Sequence, residues 1–224
     1  MEIKPIAYIK TDFKEKFGIP RQSGLIESVK GEIIFEKTYR HPDAIRGIEE
    51  YSHLWLIFDF SENHRETFSP TVRPPRLGGN KKVGVFATRS PFRPNNLGLS
   101  CVKLEEVKKD EKLGNILIVS GVDLLDNTPI FDIKPYIPYC DNKPNAVGSF
   151  GENLKDIKSN VFYDESVFLN VDENDKNSII KIIEQNPEPA YKNKKNEYKF
   201  IFSKYEICFK TEDEKSIILY VKNI

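Results

Sequence analysis

Apolar and polar positions alternate along most of this chain in bursts of a few residues, too short for helices of ordinary length and bounded by Gly, Pro and Asn. Ile3 to Ile9 is β-branched and aromatic enough to predict a first strand, with Pro5 marking an edge or the strand's beginning. Phe13 to Leu25 is broken by Gly18, Pro20 and Gly24 and predicts a loop that presents Arg21 and Gln22. Gly31 to Glu36 predicts a second strand, and Pro42 opens a short helix running to Tyr51. His53 to Phe60 is nearly continuous apolar sequence holding the only Trp, and predicts a central strand buried on both faces. The prolines and glycines between Arg73 and Ser100 exclude a helix there and leave a loop, a short strand at Val83 to Ala87, and another loop. Leu99 to Val107 and Asn115 to Val122 read as strands joined by a charged hairpin tip. A turn from Asp123 to Pro129 then precedes a further strand starting over Ile130 to Ile133. This series predicts an all-β sandwich or barrel for the first 140 or so residues.

The pattern changes after Pro135. A Pro/Gly/Asn-rich connector runs to Glu152, Ser166 to Val171 predicts a strand, and Asp172 to Pro187 carries the acidic start, paired isoleucines and proline stop of a helix of about three turns. Tyr198 to Phe202, Tyr205 to Lys210 and Ile217 to Lys222 predict three more strands. The expected fold is mainly β: an N-terminal β-barrel domain over residues 1–142, unlike a Rossmann fold, and a small α+β C-terminal domain over 143–224.

Composition narrows the function. Lys+Arg and Asp+Glu balance at 34 each, so global charge points to no polyanionic partner. The local distribution differs: from Thr67 to Leu104 there is no acid, yet Arg73, Arg76, Lys81, Lys82, Arg89, Arg93 and Lys103 fall there. Cys101, Cys140 and Cys208 are far apart and lack a C-x-x-C, and His41, His53 and His64 lack ligand spacing, so reduced thiols and no metal are expected. The start lacks an apolar targeting segment and no run reaches membrane-spanning length, which predicts a soluble, cytoplasmic protein without membrane association. No G-x-G occurs, which removes the dinucleotide fingerprint, and Ser90 lacks a nucleophile elbow.

What remains is a set of polar residues on predicted loops and rims: Arg21, Gln22, Arg89, Arg93, Asn95, Asp123, Asp126, Asp132, Lys134 and Tyr136. Arg with Asp on one rim suits a zwitterion bearing carboxylate and amine. Asp123 and Asp126 could bind an ammonium or ribose hydroxyls, and could equally cap their own turn.

Several strings carry more information than this pattern: P-R-Q (Pro20 to Gln22), S-H-L-W (Ser52 to Trp55), V-R-P-P-R-L-G-G-N (Val72 to Asn80), G-V-F-A-T-R-S-P-F-R-P-N (Gly84 to Asn95), D-x-x-D-x-T-P (Asp123 to Pro129), D-I-K-P-Y (Asp132 to Tyr136) and N-P-E-P-A-Y (Asn186 to Tyr191). Together they resemble the TsaA-like, TrmO family. The resemblance implies a dimeric β-barrel methyltransferase using S-adenosylmethionine, acting on N6 of threonylcarbamoyladenosine at position 37 in the tRNA anticodon loop. By that resemblance Pro20, Arg21, Gln22, Ser61, Glu62, Arg89, Leu99 and the turn Asp123, Leu124, Leu125 and Asp126 contact the cofactor. Ser61-Glu62 stands where relatives carry His-Gln, and Asn95-Asn96-Leu97-Gly98 where they carry Asn-Pro-Ile-Gly. On the tRNA side, Arg73, Arg76, Lys81, Lys82 and the lysines Lys192, Lys194 and Lys195 would grip phosphates. Arg93, Asn95 and Lys134 would face the substrate, with Asp132 and Tyr136 handling or orienting its proton. Two other readings fit the basic loop: a non-catalytic barrel binding RNA or a nucleotide, and a methyltransferase with a different acceptor.

Overall fold

The computed structural model describes residues 2–74, 81–149, 151, 158–185, 197–212 and 215–224. Arg76, Lys192, Lys194, Lys195 and the string Asn186 to Tyr191 lie outside the described residues, as does part of Val72 to Asn80. Among the described residues no helix is long and apolar enough to cross a membrane.

Six strands close into a barrel: β1 (Ala7–Thr11), β2 (Lys30–Phe35), β3 (His53–Asp59), β6 (Leu97–Asp110), β7 (Gly114–Ser120) and β8 (Thr128–Pro135). Their order around the barrel is β1-β2-β7-β6-β3-β8. Closure comes from β1, which pairs with β2 on one side and with β8 on the other, Ala7 facing Phe35 and Ile130. Two short strands, β4 (Thr71–Val72) and β5 (Val83–Gly84), form a separate ribbon outside the barrel.

The expectation that the tryptophan strand is buried on both faces is corrected. Leu54, Leu56 and Phe58 point into the core, whereas His53, Trp55 and Ile57 are only partly covered. A closed barrel has one packed interior, so alternate positions must face outward even in an apolar run. Trp55 gains cover from outside instead, donating its indole N–H to Asp141 at 3.0 Å, on the one-turn helix α1 (Pro138–Asp141). The predicted helix through Tyr51 is likewise two 3-10 turns, Pro42–Ile45 and Ile48–Glu50, closed by bonds such as Ala44 N–H to His41 O at 3.0 Å. The predicted strand Val83 to Ala87 keeps only Val83–Gly84 as strand and continues as a 3-10 turn.

β6 organises the site. Its first half, Leu97 to Lys103, pairs with β3, and its second half, Lys103 to Asp110, pairs with β7 across an irregularity between Leu104 and Glu106. The edge turned toward β7 is therefore free of ladder partners before Lys103, and loops occupy it instead.

The C-terminal part forms a sheet ordered β10 (Glu197–Phe202), β11 (Tyr205–Glu212), β12 (Lys215–Asn223) and β9 (Asn160–Phe162), packed with helix α2 (Glu173–Glu184). The strand expected at Ser166 to Val171 is a 3-10 turn, Glu165–Phe168, because the Asp164 side chain accepts the Ser166 N–H and starts a turn. The loop after β1 stitches the two regions together. Phe13 packs on Phe202 with ring centroids 5.4 Å apart, Phe17 stacks with Tyr198 and Phe209, and Ile201 N–H donates to Glu15 at 2.7 Å. Ile9, Phe13, Phe200, Phe202, Ile179 and Ile183 belong to one apolar core.

Candidate active site

Three segments meet on the free edge of β6. Ser23 Oγ, from the loop after Pro20, accepts the Cys101 N–H at 3.1 Å, in place of the missing β7 carbonyl. Asp123, in the turn after β7, accepts a hydrogen bond from Ser100 Oγ at 2.6 Å. Arg89 reaches the same place from the basic loop and donates to the Gln22 carbonyl oxygen, while Gln22 donates to the Arg21 carbonyl. A backbone bond from Gly24 N–H to Gly121 O at 2.8 Å clamps the first loop to the turn. Both glycines hold left-handed φ, 77° and 71°, and a Cβ on Gly121 would sit 3.1 Å from the Gly24 Cα, so the clamp requires glycine for backbone conformation and for contact.

Asp123 is the electrostatic centre. Burial pushes its carboxyl up to about 6, against the lowering effects of Ser100, backbone N–H groups and the Arg89 charge. Among the described residues no cation lies within ion-pair distance of it. A largely desolvated carboxylate held near a guanidinium is the charge pattern that suits a small molecule carrying both charges.

Asp126 faces elsewhere. Its carboxylate accepts the Thr11 N–H at 3.0 Å and pairs with Lys14 at 2.9 Å. Burial raises its carboxyl, but these partners more than offset it and hold the group below the ordinary range. Leu124 is buried in the core and Leu125 is half-buried, so of the four turn positions only Asp123 brings a charged side chain to Arg89. Pro20 is buried beneath the loop, and Arg21 is half-buried. Ser61 and Glu62 form an exposed 3-10 turn whose Glu62 carbonyl accepts a bond from Lys16 at 2.6 Å. Leu99 is 57% exposed on the outer face of β6.

The outer face continues in register from Leu99 to Ile57 to Asp132, and from Cys101 to Trp55 to Lys134. Asp132 and Lys134 pair at 2.8 Å, two strands away from Leu99, or roughly 10 Å by strand spacing. Tyr136 lies at the end of this patch, its ring 5.9 Å from that of Trp55. Arg93 folds back on its own loop, donating to the carbonyls of Val85 and Thr88 at 3.2 and 2.8 Å, while Asn95 is exposed. Arg73, Lys81 and Lys82 are exposed around the β4–β5 ribbon.

Sequence reasoning missed Ser23 and Ser100. Ser100 carried a usable signal, since it follows Gly98 and precedes Val102 on the inward-facing side of β6, where a hydroxyl needs a buried partner. Ser23 carried none.

Residues 8–142 match the family model described as the tRNA-methyltransferase O N-terminal domain. The chain is 41% identical over 199 residues to the tRNA (adenine(37)-N6)-methyltransferase of Escherichia coli K12, covering 85% of this chain and 83% of that protein. It is 49% identical over 144 residues to the putative S-adenosylmethionine-dependent methyltransferase RcsF of Pseudomonas aeruginosa, of which it spans 58%. A crystal structure of TrmO from Pseudomonas aeruginosa superposes with a TM-score of 0.80 at 28% identity, covering 100% of this chain and 97% of that one.

Proposed function

Given that this chain belongs to the tRNA-methyltransferase O family, we propose that it is an S-adenosylmethionine-dependent methyltransferase acting on N6 of adenine 37 in tRNA. The acceptor in this reading is the threonylcarbamoylated adenosine of the anticodon loop. The observation that carries it is the gathering of Arg89 and Asp123 at the free edge of β6: a guanidinium and a largely buried carboxylate, close enough to feel one another's charge but not ion-paired, that match the α-carboxylate and α-ammonium of the cofactor's amino-acid end. Arg89, Gln22 and Asp123 hold that end, the exposed Leu99 offers apolar contact, and Pro20 and Arg21 shape the loop above it. Asp126 fixes the turn through Lys14 and Thr11.

S-adenosylmethionine supplies, when bound, a methyl group on a positively charged sulfur. The chain must then orient the acceptor nitrogen and take its proton. N6 of a ureido-adenine is conjugated on both sides and is a poor nucleophile until it is deprotonated, so a base beside it accelerates the reaction. Asp132 is assigned that role, with Lys134 at 2.8 Å steadying its carboxylate and Tyr136 placing the substrate against Trp55. Arg73, Lys81 and Lys82 meet tRNA phosphates. The protein works in the cytoplasm as a homodimer, with the exposed Leu25 and Leu97 as apolar surface for a second protomer.

Arg89→Ala tests the reading. Hydrogen bonds to charged groups contribute about 1.5–3 kcal/mol, so calorimetric affinity for S-adenosylmethionine should fall roughly tenfold to a hundredfold. Folded wild-type protein that binds no S-adenosylmethionine, with or without tRNA, would remove the methyltransferase assignment. Nucleoside mass spectrometry of tRNA from a deletion strain identifies the acceptor.

A further inference from the structure

Two phenylalanines outside the barrel are exposed to water and stacked on one another: Phe68 at 56% and Phe86 at 71% exposure, ring centroids 6.4 Å apart and planes 26° apart. The fold holds them there. Thr71 and Val72 pair with Gly84 and Val83, Val85 N–H donates to Pro70 O at 3.0 Å, and Val85 is buried. With Val85 anchored inward, its neighbour Phe86 is directed outward beside Phe68. Arg93 lies 5.7 Å from the Phe86 ring, and Arg65, 3.5 Å over the ring of Phe92, lines one pocket together with Glu66, Phe68 and Arg93. Arg93 is locked by its two carbonyl acceptors and stays in place. Glu66 is the acid nearest in sequence, and none follows from Thr67 to Leu104.

We propose that Phe68 and Phe86 form a stacking platform for an unpaired RNA base, one that flanks the target adenosine in the anticodon loop. Exposed ring faces with guanidinium neighbours, which outnumber the single carboxylate of Glu66 around that pocket, suit the π-face of a base and its adjoining phosphate, whereas a duplex hides its base faces. Phe86 stands three residues before Arg89 in the same loop, so a base stacked there is tethered close along the chain to the proposed cofactor site. The inference rests on the tRNA methyltransferase reading and adds to it the residues that position the loop.

Fluorescence anisotropy with an anticodon stem-loop RNA and a blunt duplex of equal length tests the platform. Phe86→Ala and Phe68→Ala should each weaken stem-loop binding roughly fivefold to 150-fold, the range of a single base–aromatic stack. Phe86→Trp should restore it, while duplex binding and S-adenosylmethionine affinity stay within about twofold of wild type. Equal losses on duplex and stem-loop, or no loss on either, overturn the proposal. So does a Phe86→Ala protein that sediments as a monomer where wild type is a dimer, because a second copy of the chain then covers the pair. A wild type that methylates tRNA while both alanine variants bind the stem-loop normally defeats the platform alone, and a wild type that binds no S-adenosylmethionine defeats the parent reading.

Discussion

Asp123 is the residue whose environment makes the sharpest claim. Its carboxyl titrates at about 6 in the folded protein against 3.8 ordinarily, so the folded state holds the proton more tightly than the unfolded chain. The sign follows: in ligand-free protein, stability falls as pH rises from about 4 through about 6 and is level above that. If Asp123 holds the cofactor ammonium as proposed, affinity moves oppositely, rising as the carboxylate ionises through about pH 6. Asp123→Asn should flatten both slopes, which denaturant titrations and calorimetry across pH 4.5 to 7.5 would read; an unchanged binding slope in the variant would assign the titration to another group. Arg89, Gln22 and Asp123 were legible as loop polar residues, and the family strings named them. The difference between Asp123 and Asp126 was not legible. Three residues of turn send one carboxylate to Ser100 and the other to Lys14, and that depends on strand register, which no local pattern encodes.

At the level of elements, the barrel strands were legible because period-two alternation survives in any sheet with one buried face. The closure and the half-and-half pairing of β6 were not, since both depend on partners far along the chain. Gly98 shows what that pairing demands. It opens β6 opposite Phe58 on β3, and a Cβ there would lie 2.2 Å from the Phe58 ring tip. Gly98→Ala should destabilise by about 1–3 kcal/mol through overpacking, and Phe58→Leu in the same chain should recover part of the loss. Thermal melts of the two single variants and the double variant check this; strict additivity would mean that the contact is not the cause.

For the whole molecule, the decisive feature is that the loop after β1 joins the barrel and the C-terminal sheet into one core. Phe13 touches Phe202, and Phe17 touches Tyr198, Phe200 and Phe209. The compositional shift after Pro135 was legible in the sequence; the aromatic seam was not, because Phe13 to Gly18 reads locally as a broken loop. Phe202→Ala should cost about 3–5 kcal/mol and lower the melting of barrel and C-terminal sheet together, in one transition. Near-ultraviolet circular dichroism would follow both, and two separate transitions would show independent units.

The clamp between Gly24 and Gly121 has a consequence in time. During synthesis the loop bearing Gln22 leaves the ribosome long before the turn bearing Asp123, and between them β2, β3, β6 and β7 must emerge and find their order. The surface that joins Gln22, Arg89 and Asp123 is thus among the last of the barrel to exist. A ligand that recognises it has no purchase on the nascent chain and can only reward completion, by about 2.7 kcal/mol at a hundredfold excess over its dissociation constant. A methyl donor bound there would thus stabilise only chains whose barrel has closed.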